Sequence, residues 1–227
     1  MHVAKGKKRR VFKVKNILIL LFLFLGIVGL VYYGLTMPIK NVYIKGNYIL
    51  SDGEIMKIST LDEYPSFLLT SSKSIRDKIL KNSYVKDVKI SKKFGNVIEL
   101  SVIEYSVVFI QQDKIILSNG EQLDNTYNLS DVPTLINEVS DSKLYRRMSS
   151  KFGGVDRDIL RQISEVEYSP VSVDDERFLL YMNDGNLVYI TLTKIDKLNK
   201  YNEIRDKLDN RLGIIYLDSG NYVELRT

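Results

Sequence analysis

The sequence predicts an α+β protein in three parts: an N-terminal transmembrane helix, a small domain in the order β-α-α-β-β, and a second, mostly antiparallel β domain with helices. Three observations predict this. Asn16 to Ile39 contains no charged residue. Between residues 39 and 105, segments with apolar residues at every second position alternate with segments at helical spacing. From 106 to 227, short apolar runs are separated by turns rich in Asn, Asp and Gly. The expected boundaries are therefore 1–15 for a basic tail, 16–38 for the span, 39–105 for the first folded domain and 106–227 for the second.

The apolar stretch is the best defined of these. Roughly 20 apolar residues rising 1.5 Å each make a helix of about 30 Å, the thickness of the hydrocarbon core of a bilayer. A helix of a soluble protein that long would show a polar face, and this one shows none. Tyr32 and Tyr33 fall where amphipathic rings favour the headgroup level, and Pro38 marks the exit. Lys5, Lys7, Lys8, Arg9, Arg10, Lys13 and Lys15 precede it without an acid, so the N-terminus is expected to stay cytoplasmic and the C-terminal part to be exported. The run GLVYYGLTMP that closes the stretch lacks a small-x-small cleavage site, so an uncleaved anchor is expected rather than a signal peptide.

The net charge of +5 is a topology signal rather than a polyanion-binding one. Seven of the 33 basic residues lie in the tail, leaving 26 against 28 acidic residues, a net of −2 for the rest. Nucleic-acid binding is not expected. The chain has no cysteine, which excludes disulfides, a thiol nucleophile and thiolate metal sites. Its one histidine is His2, in the tail, so the exported part has no histidine for a general base, a Ser-His-Asp triad or a zinc site.

After the span, Ile39 to Gly46 reads as a strand, broken by Gly46-Asn47. Ser51-Asp52-Gly53-Glu54 is a capping box, with Ser51 covering a first-turn N–H and Glu54 reaching back, so a helix starts there and frays near Thr60. Tyr64 to Phe67 is loop. A second helix is expected from Ser71 or Ser72, with Ile75, Ile79 and Leu80 on one face, ending at Asn82-Ser83. Val85, Val88 and Ile90 suggest a strand, Lys92 to Asn96 a turn, and Val97 to Glu104 the answering strand with Ile98, Leu100 and Val102 on one face.

The run IKNVYIKGNYILSDGEI resembles the opening of a POTRA domain, in which a strand ends in Gly-Asn and a helix of the s-x-x-E-I kind follows. With a basic tail, one span and a single such domain, the chain resembles the FtsQ/DivIB family of bacterial division proteins. The remainder is similar to the β domain that follows the POTRA in that family. Val107 to Ile110 and Lys114 to Leu117 flank a turn, and Ser118-Asn119-Gly120 turns the chain again. Asp124 to Pro133 reads as loop, and Ser140 to Gly154 shows too weak a periodicity to assign. Asp156 is expected to cap a helix carrying Ile159, Leu160, Ile163 and Val166. Phe178 to Tyr181, the turn Asn183 to Asn186 and Leu187 to Leu192 form a hairpin. A helix of about four turns is expected over Lys194 to Arg211, with Ile195, Leu198, Tyr201, Ile204 and Leu208 inward. Ile214 to Leu217 and Tyr222 to Leu225 close the chain as strands.

Catalytic patterns are sparse. Ser83-x-x-Lys86 and Ser140-x-x-Lys143 fit the Ser-x-x-Lys dyad of some exported acyl-transfer enzymes, making a membrane-anchored cell-wall enzyme the alternative reading. Such a dyad needs a buried, deprotonated lysine, and both lie in charged surroundings. Asp174-Asp175-Glu176 lacks the spacing of a calcium loop and reads as a solvated turn. The 15 tyrosines, at alternating positions, suit core edges and interfaces. A POTRA-bearing export chaperone would need tandem POTRA units and a barrel, for which too few residues remain.

The family resemblance implies a non-enzymatic scaffold at the division septum. Its partners would be membrane-anchored division proteins of the FtsL and FtsB/DivIC type, with no cofactor and no small-molecule substrate. It also implies the docking residues. Tyr216, Leu217, Asp218, Ser219 and Gly220 are similar to a Tyr-x-Asp-Ser-Gly-like run in the last strands of the family, where the FtsB-type partner docks. With Tyr222, Val223, Glu224 and Leu225 they form the expected partner-binding edge, and no long tail follows to cover it.

Overall fold

The computed structural model describes residues 14–209 and 211–226. Residues 1–13 of the expected basic tail therefore lie outside the described residues. Helix α1 covers Val14–Thr36, ending ahead of Met37-Pro38, since the residue before a proline disfavours helical geometry. Its most apolar 18-residue window has a mean hydropathy of 2.6, and none of α1 is buried in protein. A helix of this length and apolarity is long enough to cross the hydrocarbon core of a bilayer.

The chain divides into two compact units, one built from residues up to Lys81, α1 included, with Asp87–Val102, the other from Asn82–Lys86 and Ile103 onward. In the first, β1 (Asn41–Lys45), α2 (Asp52–Ser59), α3 (Ser72–Ile79), β2 (Val85–Lys93) and β3 (Val97–Glu104) follow the expected β-α-α-β-β order. The capping box forms: Ser51 Oγ accepts from Glu54 N at 3.3 Å, and Glu54 Oε2 accepts from Ser51 N at 2.8 Å. The sheet order is β1-β3-β2, and β1 lies parallel to β3 from Asn41 opposite Val97 to Lys45 opposite Ser101. Gly46 allows the break after β1. Its φ is +85°, and a Cβ there would sit 2.3 Å from the Val102 carbonyl oxygen. Ile98, Leu100 and Val102 are buried at alternate positions of β3, and Ile55, Ile75 and Ile79 of the helices are buried with them.

The second unit is one nine-stranded sheet with helices. Its strands are β4 (Val107–Gln111), β5 (Lys114–Leu117), β6 (Gln122–Asp124), β7 (Thr134–Leu135), β8 (Ile163–Tyr168), β9 (Arg177–Met182), β10 (Leu187–Thr191), β11 (Gly213–Tyr216) and β12 (Tyr222–Leu225), in the spatial order β12-β11-β10-β9-β8-β7-β4-β5-β6. Most neighbours are antiparallel, but β10–β11, β4–β7 and β7–β8 are parallel. The core gathers Phe109, Phe152 and Phe178 edge to face, with ring centroids 4.8 and 6.1 Å apart.

Three segments differ from expectation, and each has a physical reason. The unassigned stretch before Gly154 holds α4 (Ser142–Phe152), whose Leu144, Met148 and Phe152 are buried four residues apart. Asp141 caps it, accepting from Lys143 N at 2.7 Å and Leu144 N at 3.2 Å, and these bonds hold its carboxyl below the usual range. The helix expected after Asp156 stops early: α5 is only Arg157–Leu160, and Ile163 and Val166 belong to β8, where pairing with β9 and β7 outweighs the helical spacing. The long helix is mostly a 3₁₀ helix over Leu192–Lys200, followed by α6 (Tyr201–Asp206). Leu192, Ile195, Leu198 and Tyr201 are all buried and recur every third residue, which suits 3.0 residues per turn. The polar stretch Asp124 to Pro133 is loop as expected from Asn125 on, flanked by the short β6 and β7.

Candidate partner-docking edge

Strand β11 is held firmly at both ends. At its start, buried Asn186 in the β9–β10 turn accepts from Gly213 N at 2.8 Å and donates to the Tyr201 hydroxyl at 3.1 Å. That hydroxyl donates to both oxygens of Asp184, at 2.8 and 2.7 Å. Burial first, then the bond to Asp184, pushes the Tyr201 phenol well above its ordinary range, so it stays a donor. Gly213 is also the point of close approach to β12, for a Cβ there would lie 2.8 Å from Val223 Cγ1.

At the far end of β11, Leu217 N donates to Tyr189 O at 2.8 Å, and Arg177 Nε donates to Asp218 Oδ2 at 2.7 Å. The two side chains of this ion pair are only 15% and 9% exposed. Burial works to raise the Asp218 carboxyl. The hydrogen bonds from Arg177 and from Ser219 Oγ and N, with the Arg177 charge, outweigh it and hold the group below the ordinary 3.8. Lys194 Nζ donates to the Asp218 carbonyl, tying the turn to the 3₁₀ helix.

Strand β12 is held by less. It pairs antiparallel with β11, Gly213 opposite Leu225 through Tyr216 opposite Tyr222, and it is the outermost strand on its side of the sheet. Arg226 N donates to Leu212 O at 2.9 Å, which fixes the alternation of the ladder. Residues 222, 224 and 226 turn their backbone groups toward β11, while those of Val223 and Leu225 point to the open edge. Tyr222 is 51% exposed and Leu225 42%.

An aromatic ladder runs along one sheet face to this edge. The Arg177 guanidinium lies 3.7 Å from the Tyr189 ring centroid, Tyr189 stacks on Tyr216 at 5.3 Å, and Tyr216 stacks on Tyr222 at 4.5 Å. Burial, with the negative charge of Glu224 near it, raises the Tyr216 phenol. Each ring is fixed by the one before, so the half-exposed Tyr222 is pre-positioned at the rim.

The structure sorts the expected docking residues. Tyr222, Glu224 and Leu225 are exposed on the edge strand, Ser219 and Gly220 are exposed in the turn, and Val223 is half-buried. Tyr216 forms the middle of the ladder. Leu217 is buried and Asp218 is engaged by Arg177, so these two brace the edge from behind. Sequence reasoning missed Arg177, Tyr189 and Asn186. The ladder depends on the parallel β10–β11 pairing across the 3₁₀ helix, a register that no hairpin turn announces.

The Ser-x-x-Lys candidates have other surroundings. Ser83 Oγ donates to Glu121 Oε1 at 2.7 Å, while Lys86, Ser140 and Lys143 are exposed, Lys143 in the first turn of α4. Of the acidic run, Asp174 accepts from Glu176 N at 3.0 Å, and Glu176 takes a two-pronged ion pair from Arg147.

Residues 37–105 match the POTRA domain, FtsQ-type. The chain is 29% identical over 232 residues to cell division protein DivIB of Bacillus subtilis (strain 168), covering 98% of this chain and 88% of that one. It is 26% identical over 235 residues to DivIB of Listeria monocytogenes, covering 98% and 85%. The solved major extracytoplasmic domain of DivIB from Geobacillus stearothermophilus, in its trans isomer, aligns at 27% identity over 47% of this chain and 95% of that one, with a TM-score of 0.38. With an FtsQ-type POTRA next to the apolar helix and a likeness to DivIB along nearly its whole length, the chain is similar to bacterial cell division proteins of the DivIB type.

Proposed function

We propose that this protein is a non-enzymatic scaffold of the division septum. Its N-terminus lies in the cytoplasm and its two folded units lie outside the membrane. There it gathers membrane-anchored division proteins of the FtsL and FtsB/DivIC type. The observation that carries the reading is β12, an outermost strand whose Val223 and Leu225 backbone groups face an open edge beside a braced aromatic rim. A partner segment adding as a further strand gains main-chain hydrogen bonds there, and its alternate side chains meet Tyr222 and Glu224 on one face. Unpaired edges favour aggregation unless they are covered, and this one has no proline or bulge to blunt it.

Genetic complementation separates this reading from the enzyme reading. In cells depleted of the native protein, a variant with Ser83, Lys86, Ser140 and Lys143 all replaced by Ala should support septation. A Val223→Pro variant should not. The opposite pattern, with both variants inserted and folded, would overturn the scaffold reading.

A further inference from the structure

The first unit carries exposed apolar side chains where a soluble domain would not place them. Leu68 and Leu69 are 58% and 68% exposed, and Phe94, at the tip of the β2–β3 turn, is fully exposed. The rest of the structure ties both loops to the end of α1. Phe67 N donates to Met37 O at 2.9 Å, Ile39 N donates to Pro65 O at 2.9 Å, and Ser66 Oγ donates to Leu35 O, inside the last turn of the helix. Leu68 Cδ1 lies 3.8 Å from where a Cβ on Gly34 would be.

The other loop is tied to the same segment. Lys40 N donates to Asn96 O at 2.9 Å, and Asn96 Nδ2 donates to Pro38 O at 3.0 Å. Gly95 and Asn96, with φ of +85° and +61°, make the turn tight and leave Phe94 at its tip. Lys92 joins the two loops, donating to the Phe67 carbonyl and lying 4.8 Å over the Phe67 ring.

The span sets the depth of this cluster. The 23 residues of α1 rise about 34 Å, slightly more than the hydrocarbon core of about 30 Å. Leu35 and Met37 therefore fall at the boundary of that core, and the loops bonded to them lie at headgroup level. The charges nearby are mixed, Lys40, Lys92 and Lys93 against Asp62 and Glu63, so apolar burial supplies most of the driving force and attraction to anionic lipid little.

We propose that Leu68, Leu69 and Phe94 form an apolar foot of the POTRA unit that inserts into the interface of the bilayer crossed by α1. The proposal rests on the reading of α1 as a membrane span. Such a foot adds two contacts beside the helix and restrains the tilt of the first unit over the membrane.

The absence of cysteine makes the test direct. Single variants Leu69→Cys, Phe94→Cys, Val28→Cys and Lys151→Cys of the full chain would carry a nitroxide label in vesicles of phosphatidylethanolamine and phosphatidylglycerol. Collision with oxygen and with a water-soluble nickel chelate would then be compared. Labels at 69 and 94 should favour oxygen, less strongly than the label at 28, while the label at 151 favours the chelate. A label at 28 in lipid, with those at 69 and 94 as aqueous as the one at 151, would overturn the foot but leave the span intact. An aqueous label at 28 would remove both. Labels at 69 and 94 shielded from both reagents would point to protein packing and also overturn the proposal.

Discussion

Tyr222 and Asp218 stand four residues apart and have opposite roles. Tyr222 is the exposed end of a stack, so under the proposed docking its removal takes contact area from the partner while leaving the fold little to lose. Truncation of a tyrosine at such a position commonly costs about 2 kcal/mol of binding, roughly thirtyfold in affinity. Tyr222→Ala should therefore weaken binding of a DivIC-type segment by that order, with circular dichroism and melting of residues 40–227 nearly unchanged. Asp218 acts in the opposite sense. Its carboxylate answers a largely buried guanidinium, so Asp218→Asn should cost about 2 kcal/mol of stability at neutral pH. Its folded pKa lies below the ordinary 3.8, so the stability it adds is present above that value and is lost as the pH falls through the folded one. Melting followed from pH 5 downward should show the wild type converging on Asp218→Asn in acid. Parallel curves throughout would contradict the assignment.

Among the elements, the β11–β12 pair makes the most specific forecast. The two faces of the β12 backbone alternate, so neighbouring proline substitutions should behave differently. Val223→Pro removes a donor that faces the open edge, and it should abolish docking while β12 stays paired. Glu224→Pro removes a donor that faces β11, and it should detach β12 and lower the melting temperature of the second unit. Equal stability losses in the two variants would place the ladder in the other alternation. This register was partly legible beforehand, because Tyr222 to Leu225 alternates and Asp218-Ser219-Gly220-Asn221 is a turn. What lies behind it was not. Ile195, Leu198, Tyr201, Ile204 and Leu208 read together as the face of one α-helix, and the strict three-residue recurrence from Leu192 to Tyr201 that suits a 3₁₀ helix stands out only once Leu192 is seen to be buried with them. In α4 the signal was present, an Asp141 cap with Leu144, Met148 and Phe152 four apart, but abundant Ser, Lys and Arg around those apolar positions obscured it. In β8, Ile163 and Val166 satisfied a helical spacing that pairing with β7 and β9 overrode.

At the scale of the whole molecule, the parts were more legible than their contacts. An uncharged stretch, a capping box and two glycine-containing turns are local signals, and they placed the apolar helix and the β-α-α-β-β unit. The nine-stranded order, with three parallel neighbours, depends on long-range pairing that no local signal specifies. Protease added to intact spheroplasts should digest the folded units and leave the tail and span, and protection of the entire chain would reverse the topology. The central claim is that a partner adds a strand to β12, and amide hydrogen exchange at single-residue resolution tests it most directly. Residues 40–227 would be compared with and without the extracytoplasmic segment of a DivIC-type partner. The account predicts that Val223 and Leu225 N–H groups exchange freely alone and become protected in the complex, while Glu224 N–H is already protected and changes little. Binding that leaves Val223 and Leu225 exchanging as before would contradict it.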